Sequence, residues 1–137
     1  MKLKRPMEYA TEAYIAKSHG KDDEADRLAK TAISGFKAQN DYISAGNTAR
    51  DAGLEDIAFE MFDKAIAEKK NEGNSLGAAL VADMAGIRRK ANDLYENMSE
   101  EYARKEMYLE AAIMAEQAGL KGKAKVYIKA YKIMWPI

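Results

Sequence analysis

Cysteine is absent from this chain. That removes disulfides, thiolate nucleophiles and sulfur-ligated metals. Histidine occurs once, as His19, so no Glu-x-x-His pairs exist to build a carboxylate di-iron centre. Net charge is also lacking: 22 Lys and Arg face 22 Asp and Glu, which gives no global pull toward nucleic acid or an anionic membrane. No apolar run approaches the roughly 18 residues of a membrane span. The basic opening Met1-Lys2-Leu3-Lys4-Arg5-Pro6 leads into no apolar signal region, because Glu8 and Glu12 intrude. These absences read as a soluble, cytoplasmic protein. There is no glycine-rich phosphate loop, metalloprotease motif or nucleophile elbow. The acidic run Asp22, Asp23, Glu24, Asp26 lacks the glycine spacing of a calcium loop. The expectation is a non-enzyme with no cofactor and no metal.

Proline is scarce too, and its placement is informative: Pro6 and Pro136 bracket an interior free to be helical. Within that interior a glycine returns every thirty-third residue, at Gly20, Gly53, Gly86 and Gly119. Glycine makes up about 7% of ordinary sequences, so four in register arise by chance in roughly 2 of 100,000 placements at a given phase. Alanine columns keep the same beat. Ala25, Ala58, Ala91 and Ala124 follow each glycine, and Ala16, Ala49, Ala82 and Ala115 precede it. A period of this length signals stacked units that cannot bury their apolar faces singly. The expected fold is all-α: an α-solenoid of four helix-turn-helix repeats, about eight antiparallel helices, in one domain over residues 1–137. The repeat windows are 6–38, 39–71, 72–104 and 105–137.

Each window splits at its glycine into helix A and helix B. In the first, helix A runs from Pro6, a residue suited to a first turn, to Ser18. Gly20 stops it in the left-handed conformation. Asp22 is positioned to cap helix B, with Asp23 and Glu24 at its positive end. In the second, Asp41 caps helix A, and Glu55 and Asp56 open helix B. In the third, Asn74 or Ser75 caps. In the fourth, Ser99 is expected to cap a longer helix ending at Gly119. Apolar residues recur at i, i+3, i+4 and i+7, as in Leu28, Ala29, Ala32, Ile33 and Phe36, or Ile57, Ala58, Met61, Phe62, Ala65 and Ile66. Loops of about two to four residues imply antiparallel neighbours.

The columns resemble the tetratricopeptide (TPR) repeat across residues 6–137. Tyr9, Tyr42, Ser75 and Tyr108 stand at its early large position, and Ala13, Gly46, Ala79 and Ala112 at its small one. Ala25, Ala58, Ala91 and Ala124 match its helix B alanine. Ala29, Phe62, Tyr95 and Ile128 stand at the following aromatic position. The chain departs from the pattern in its period of thirty-three rather than thirty-four. Alanine also replaces the late aromatic of helix A, and only Pro136 survives of the closing prolines. In this it is similar to the helical arrays of soluble NSF attachment proteins as well. The ankyrin signature, which shares the period, is absent.

The resemblance implies that helix A of each repeat lines a groove. It carries over Ala10, Tyr14 and Lys17; Ile43, Asn47 and Arg50; Leu76, Leu80 and Asp83; Leu109, Ile113 and Glu116. That is an apolar trough with Asn47 and Arg50 as polar handles, suited to a helical or extended segment of another protein. The plainer reading is that Leu76, Leu80, Leu109 and Ile113 pack between repeats. Asn47 matches the asparagine of the TPR clamp for C-terminal carboxylates, but Ile43, Gly73 and Gly77 do not complete it. His19 closes helix A, where a structural role suffices.

The last repeat ends in helix B, so Val126, Ile133, Met134 and Trp135 form a second candidate surface for self-association or a partner. Trp135 either folds back on its own repeat or joins that exposed patch. Helix B of the last repeat also carries Lys121, Lys123, Lys125, Lys129 and Lys132 and no acid. Such a helix suits phosphates or lipid headgroups, or is a solvated lysine-coated face. An acidic face of Glu55, Asp56, Glu60 and Asp63 on the second helix B would suit a head-to-tail contact with it, and ordinary solvation explains both faces equally well. The expected function is therefore a non-catalytic protein-protein interaction scaffold, working through the helix A groove or the C-terminal patch, with homo-oligomerisation through the last helix. The alternative is a binder of an anionic surface, RNA or lipid headgroups.

Overall fold

The structure, a computed structural model, describes residues 3–136; Met1 and Lys2 of the basic opening and Ile137 of the fourth window lie outside the described residues. Eight helices follow one another: α1 Pro6–Ser18, α2 Asp22–Ala38, α3 Tyr42–Asp51, α4 Glu55–Asn71, α5 Ser75–Met84, α6 Arg88–Arg104, α7 Tyr108–Gln117 and α8 Lys121–Met134. Among the described residues there is no strand. The even-numbered helices begin thirty-three residues apart, and so do α3, α5 and α7. The fold is an all-α array of helical hairpins, with neighbouring helices packed against each other.

All seven connections share one construction. Three residues separate each helix from the next. The middle one has a positive φ: Gly20, Gly53, Gly86 and Gly119 after the odd helices, Asn40, Gly73 and Glu106 after the even ones. Its N–H donates three residues back, at 2.9–3.0 Å, and the next N–H donates five residues back, at 2.8–2.9 Å. This is the Schellman closure, which satisfies carbonyls that the helix end leaves orphaned. The thirty-three-residue beat of glycines therefore marks four of the seven turns. The other three keep the same geometry, one with Gly73 and two tolerating asparagine and glutamate at left-handed φ of 57° and 58°.

The closure also decides the caps. Its last residue becomes the N-cap of the following helix, so Lys21, not Asp22, is the N-cap of α2, and it makes no side-chain cap bond. Asp41 accepts from Ser44 N at 3.1 Å, and Asn74 accepts from Gly77 N at 2.8 Å. Ser99 does not begin a helix. It lies inside α6, fully buried, and its hydroxyl donates to the Ala111 carbonyl of α7 at 2.8 Å. A buried hydroxyl bonded to a neighbouring helix replaces the cap that the sequence suggested, and the fourth hairpin starts at Tyr108.

Four residues after the N-cap of each helix from α2 to α8 stands an alanine: Ala25, Ala45, Ala58, Ala78, Ala91, Ala111 and Ala124, each at most 2% exposed. Each donates its N–H to the N-cap carbonyl. At a corner this tight two helices converge, and a methyl group is what the gap admits. The chain divides into two compact units, Met1–Ala65 and Ile66–Ile137, with the division inside α4. In the first, α1 packs on α2 and α2 on α3. Phe62 of α4, 1% exposed, lies flat on α3 at Gly46, where a Cβ would come within 2.8 Å of the ring. In the second, α5, α6, α7 and α8 pack in succession, around Leu94, Tyr95 and Met98.

Candidate functional site

Between α1 and α3 lies a groove lined by Met7, Ala10, Thr11 and Tyr14 on one side and Ser44, Asn47, Thr48 and Asp51 on the other, with Phe36 at its floor. Three residues named from the sequence, Ala10, Tyr14 and Asn47, line it together. Lys17 lines an adjoining pocket with Ala10, Tyr14, Thr48 and Asp51. Tyr14 is 68% exposed and offers a large ring with a hydroxyl tip. Asn47 accepts from Arg50 Nη2 at 3.1 Å, and the Arg50 guanidinium lies 5.4 Å from the centre of the Phe62 ring. The two polar handles are thus held by each other and by a buried aromatic. Ile43 is half-buried on the same helix. Met7, Thr48 and Asp51 escaped the sequence reading. Met7 stands two helical turns before Tyr14, so its face was legible, whereas Thr48 and Asp51 enter only because α1 and α3 approach.

In the second unit Leu76 and Leu80 of α5, and Leu109 and Ile113 of α7, are all between 42% and 54% exposed. They occupy the same two places in successive hairpins, one turn apart. Met84 extends the α5 stripe by another turn. Helix α5 carries one charged residue, Asp83, and that residue is engaged within its own hairpin. The Tyr95 hydroxyl donates to Asp83 Oδ2 at 2.8 Å, and Arg88 Nη1 stands 2.9 Å from Oδ1. Burial first, then the bond to Asp83, push the Tyr95 phenol above its ordinary pKa, against a smaller opposing effect of Arg88. Asp83 therefore ties α5 to α6. Glu116 is exposed on α7.

On α8 only Ala124 is buried. Tyr127 stacks on Tyr108 of α7 with ring centres 6.3 Å apart. Val126 and Ile133, 63% and 79% exposed, share one face two turns apart, with Lys129 between them. Trp135 follows the helix and stays exposed rather than folding back, and Met134 sits on another flank. The five lysines are not equivalent. Lys123 reaches back to α6, 3.3 Å from Glu100 and 3.7 Å from Glu96. The hydrogen bond to Glu100 raises its pKa. Lys121, Lys125, Lys129 and Lys132 are exposed and follow each other at helical spacing.

On α1, Glu12 accepts from Lys4 at 2.7 Å, which raises the Lys4 pKa. Glu12, Ile15 and His19 line an open groove with Lys21, Glu24 and Leu28 of the α1–α2 hairpin. Among the described residues no three His, Asp or Glu side chains gather as metal ligands would, and no helix is long and apolar enough to cross a membrane. Compared with protein-family models, with curated proteins and with solved structures, the chain matches none.

Proposed function

We propose that this chain is a non-catalytic, TPR-like protein-binding scaffold of the cytoplasm that holds an apolar segment of another protein against its odd-numbered helices. The observation that carries this reading is the recurrence of exposed large apolar side chains at the same two positions of α5 and α7: Leu76 with Leu80, and Leu109 with Ile113. Single exposed leucines need no explanation, but a pair that recurs in register on successive hairpins presents a repeated apolar feature. Within the first unit, the α1–α3 groove separately offers Tyr14 as an aromatic anchor in the same lining as the Asn47 amide. A segment with apolar anchors at helical or alternating spacing suits this lining.

Selection of a random peptide display library against the folded protein tests this reading. Recovered peptides should share spaced apolar anchors and lose binding to Leu80→Asp and Ile113→Asp variants of unchanged helicity. Peptides that bind both variants as well as the parent would refute it. The alternative, an anionic-surface binder, draws on the exposed lysines of α8. It requires retention on heparin that weakens steeply with salt.

A further inference from the structure

Two contacts show how one hairpin stacks on the next within the second unit. Ser99 of α6 donates to the Ala111 carbonyl of α7 at 2.8 Å, and Lys123 of α8 reaches Glu96 and Glu100 of α6 at 3.7 and 3.3 Å. The repeat allows both contacts to be carried one step further. One period after Ser99 stands Lys132, and one period after Glu96 and Glu100 stand Lys129 and Ile133. These residues occupy the α8 face that a following hairpin would meet, and all three are exposed. Three periods before Ala111 stands Glu12, and three before Lys123 stands Glu24. Both line the open groove on the α1–α2 hairpin.

The substitutions at these register positions are complementary. Where α3, α5 and α7 bury Ala45, Ala78 and Ala111, α1 carries the charged Glu12. Where α5 buries Val81, α1 exposes Ile15. On the α8 face the acids of α6 have become Lys129 and the apolar Ile133. Superposing the inner stacking step on these two faces sets Lys132 against Glu12, and Lys129 together with Ile133 against Glu24. Of the two Glu–Lys contacts seen inside the chain, the one from Lys123 to Glu96 is reproduced with its sign reversed, and the one to Glu100 becomes the Ile133 side chain over Glu24.

We infer that the α8 face bearing Lys129 and Lys132 docks head to tail on the α1–α2 groove bearing Glu12 and Glu24 of a second copy of this chain. Glu12 already accepts from Lys4, and a carboxylate has capacity for a second ammonium. His19 and Lys21 lie on the rim of the same groove, so the acids, not the net charge of the whole face, select the partner. Because the two faces differ, the contact is heterologous, so copies add head to tail and do not pair like face to like face. Opposed charge sets the register and suppresses pairing of like faces.

The test is sedimentation velocity and light scattering of the full chain from micromolar to millimolar concentration, at low and high salt. The expected mass rises with concentration past two chains and falls as salt screens the pairs. Lys129→Glu with Lys132→Glu, and separately Glu12→Lys with Glu24→Lys, should each weaken assembly about tenfold or more. An equimolar mixture of the two variants should restore it, because acidic α8 faces then meet basic grooves. Circular dichroism and restoration on mixing show that the variants are folded. Leu80→Asp should leave assembly unchanged, which separates this contact from the partner stripe. A mass fixed at one chain or at two, charge variants that assemble like the parent, or a mixture that stays monomeric would each overturn the inference.

Discussion

Gly46 offers the sharpest test of how the helices are packed. It lies inside α3, where glycine costs about 1 kcal/mol relative to alanine. By local propensity alone Gly46→Ala would therefore stabilise the protein by about 1 kcal/mol. The packing argues the opposite. A Cβ at this position would stand 2.8 Å from Phe62 Cε1 and 2.9 Å from Cδ1 and Cζ. Phe62 is among the largest fully buried side chains, so the ring has little room to retreat. Overpacking of this kind costs about 1–3 kcal/mol. Near the upper end of that range it outweighs the propensity gain, and Gly46→Ala should destabilise by about 1–2 kcal/mol. Phe62→Leu alone should cost about 1 kcal/mol through lost apolar contact. Combining the two removes the clash and keeps the helix gain, so the double variant should be about 2 kcal/mol more stable than the sum of the singles. Urea unfolding followed by circular dichroism measures all four members of the cycle. A stabilised Gly46→Ala, or additive single effects, would show that the Phe62 ring does not pack against α3 at Gly46.

Other residues carry equally definite expectations. Glu106 holds a left-handed φ of 58° at an exposed turn, so Glu106→Gly should raise stability by about 0.5–1 kcal/mol, seen as a higher urea midpoint. Helix α8 begins with Lys121, against the positive end of its own dipole, and Lys121→Glu should raise the thermal midpoint by the equivalent of about 0.5 kcal/mol. The folded-state pKa of Tyr95 lies above its unfolded value near 10. The unfolded chain thus releases this proton first as pH rises. The contribution is whole below about pH 10 and is lost as pH climbs through the folded value. Tyr95→Phe should flatten that alkaline loss and cost about 1–2 kcal/mol at neutral pH, since a hydrogen bond to a charged group is removed. Unfolding curves at neutral and alkaline pH check both effects.

Much of the fold is legible in the chain because helix stops are local chemistry. A glycine at left-handed φ, followed within a few residues by alanine, marks a corner wherever it occurs, and the period of the corners sets the number of helices. Gly20 and its three successors were readable for that reason. Asn40 stood outside the glycine beat although asparagine adopts this conformation readily, and at Glu106 the left-handed conformation is imposed by the helices it joins and not by its own preference. Likewise Ser99 resembles a cap in sequence. Only the approach of α7 turns its hydroxyl into a buried donor to Ala111. Of the candidate surface, the stripe of Leu76 and Leu80 with Leu109 and Ile113 is named through the resemblance to the TPR repeat, and the sequence itself shows only that the two pairs stand one period apart. That Tyr14 lines one groove with Asn47, that Asp83 is tied to Tyr95 and Arg88, and that Lys123 is held by α6 while its neighbours are exposed all depend on which helix faces pack together.

The amino-acid order by itself determined the beat, the helices and the small residues at their corners, because each of these is decided within a few residues along the chain. Tertiary structure alone decided which charges are neutralised and which side chains meet. Those outcomes depend on distances between residues far apart in sequence, set by the angle at which one helix lies against the next.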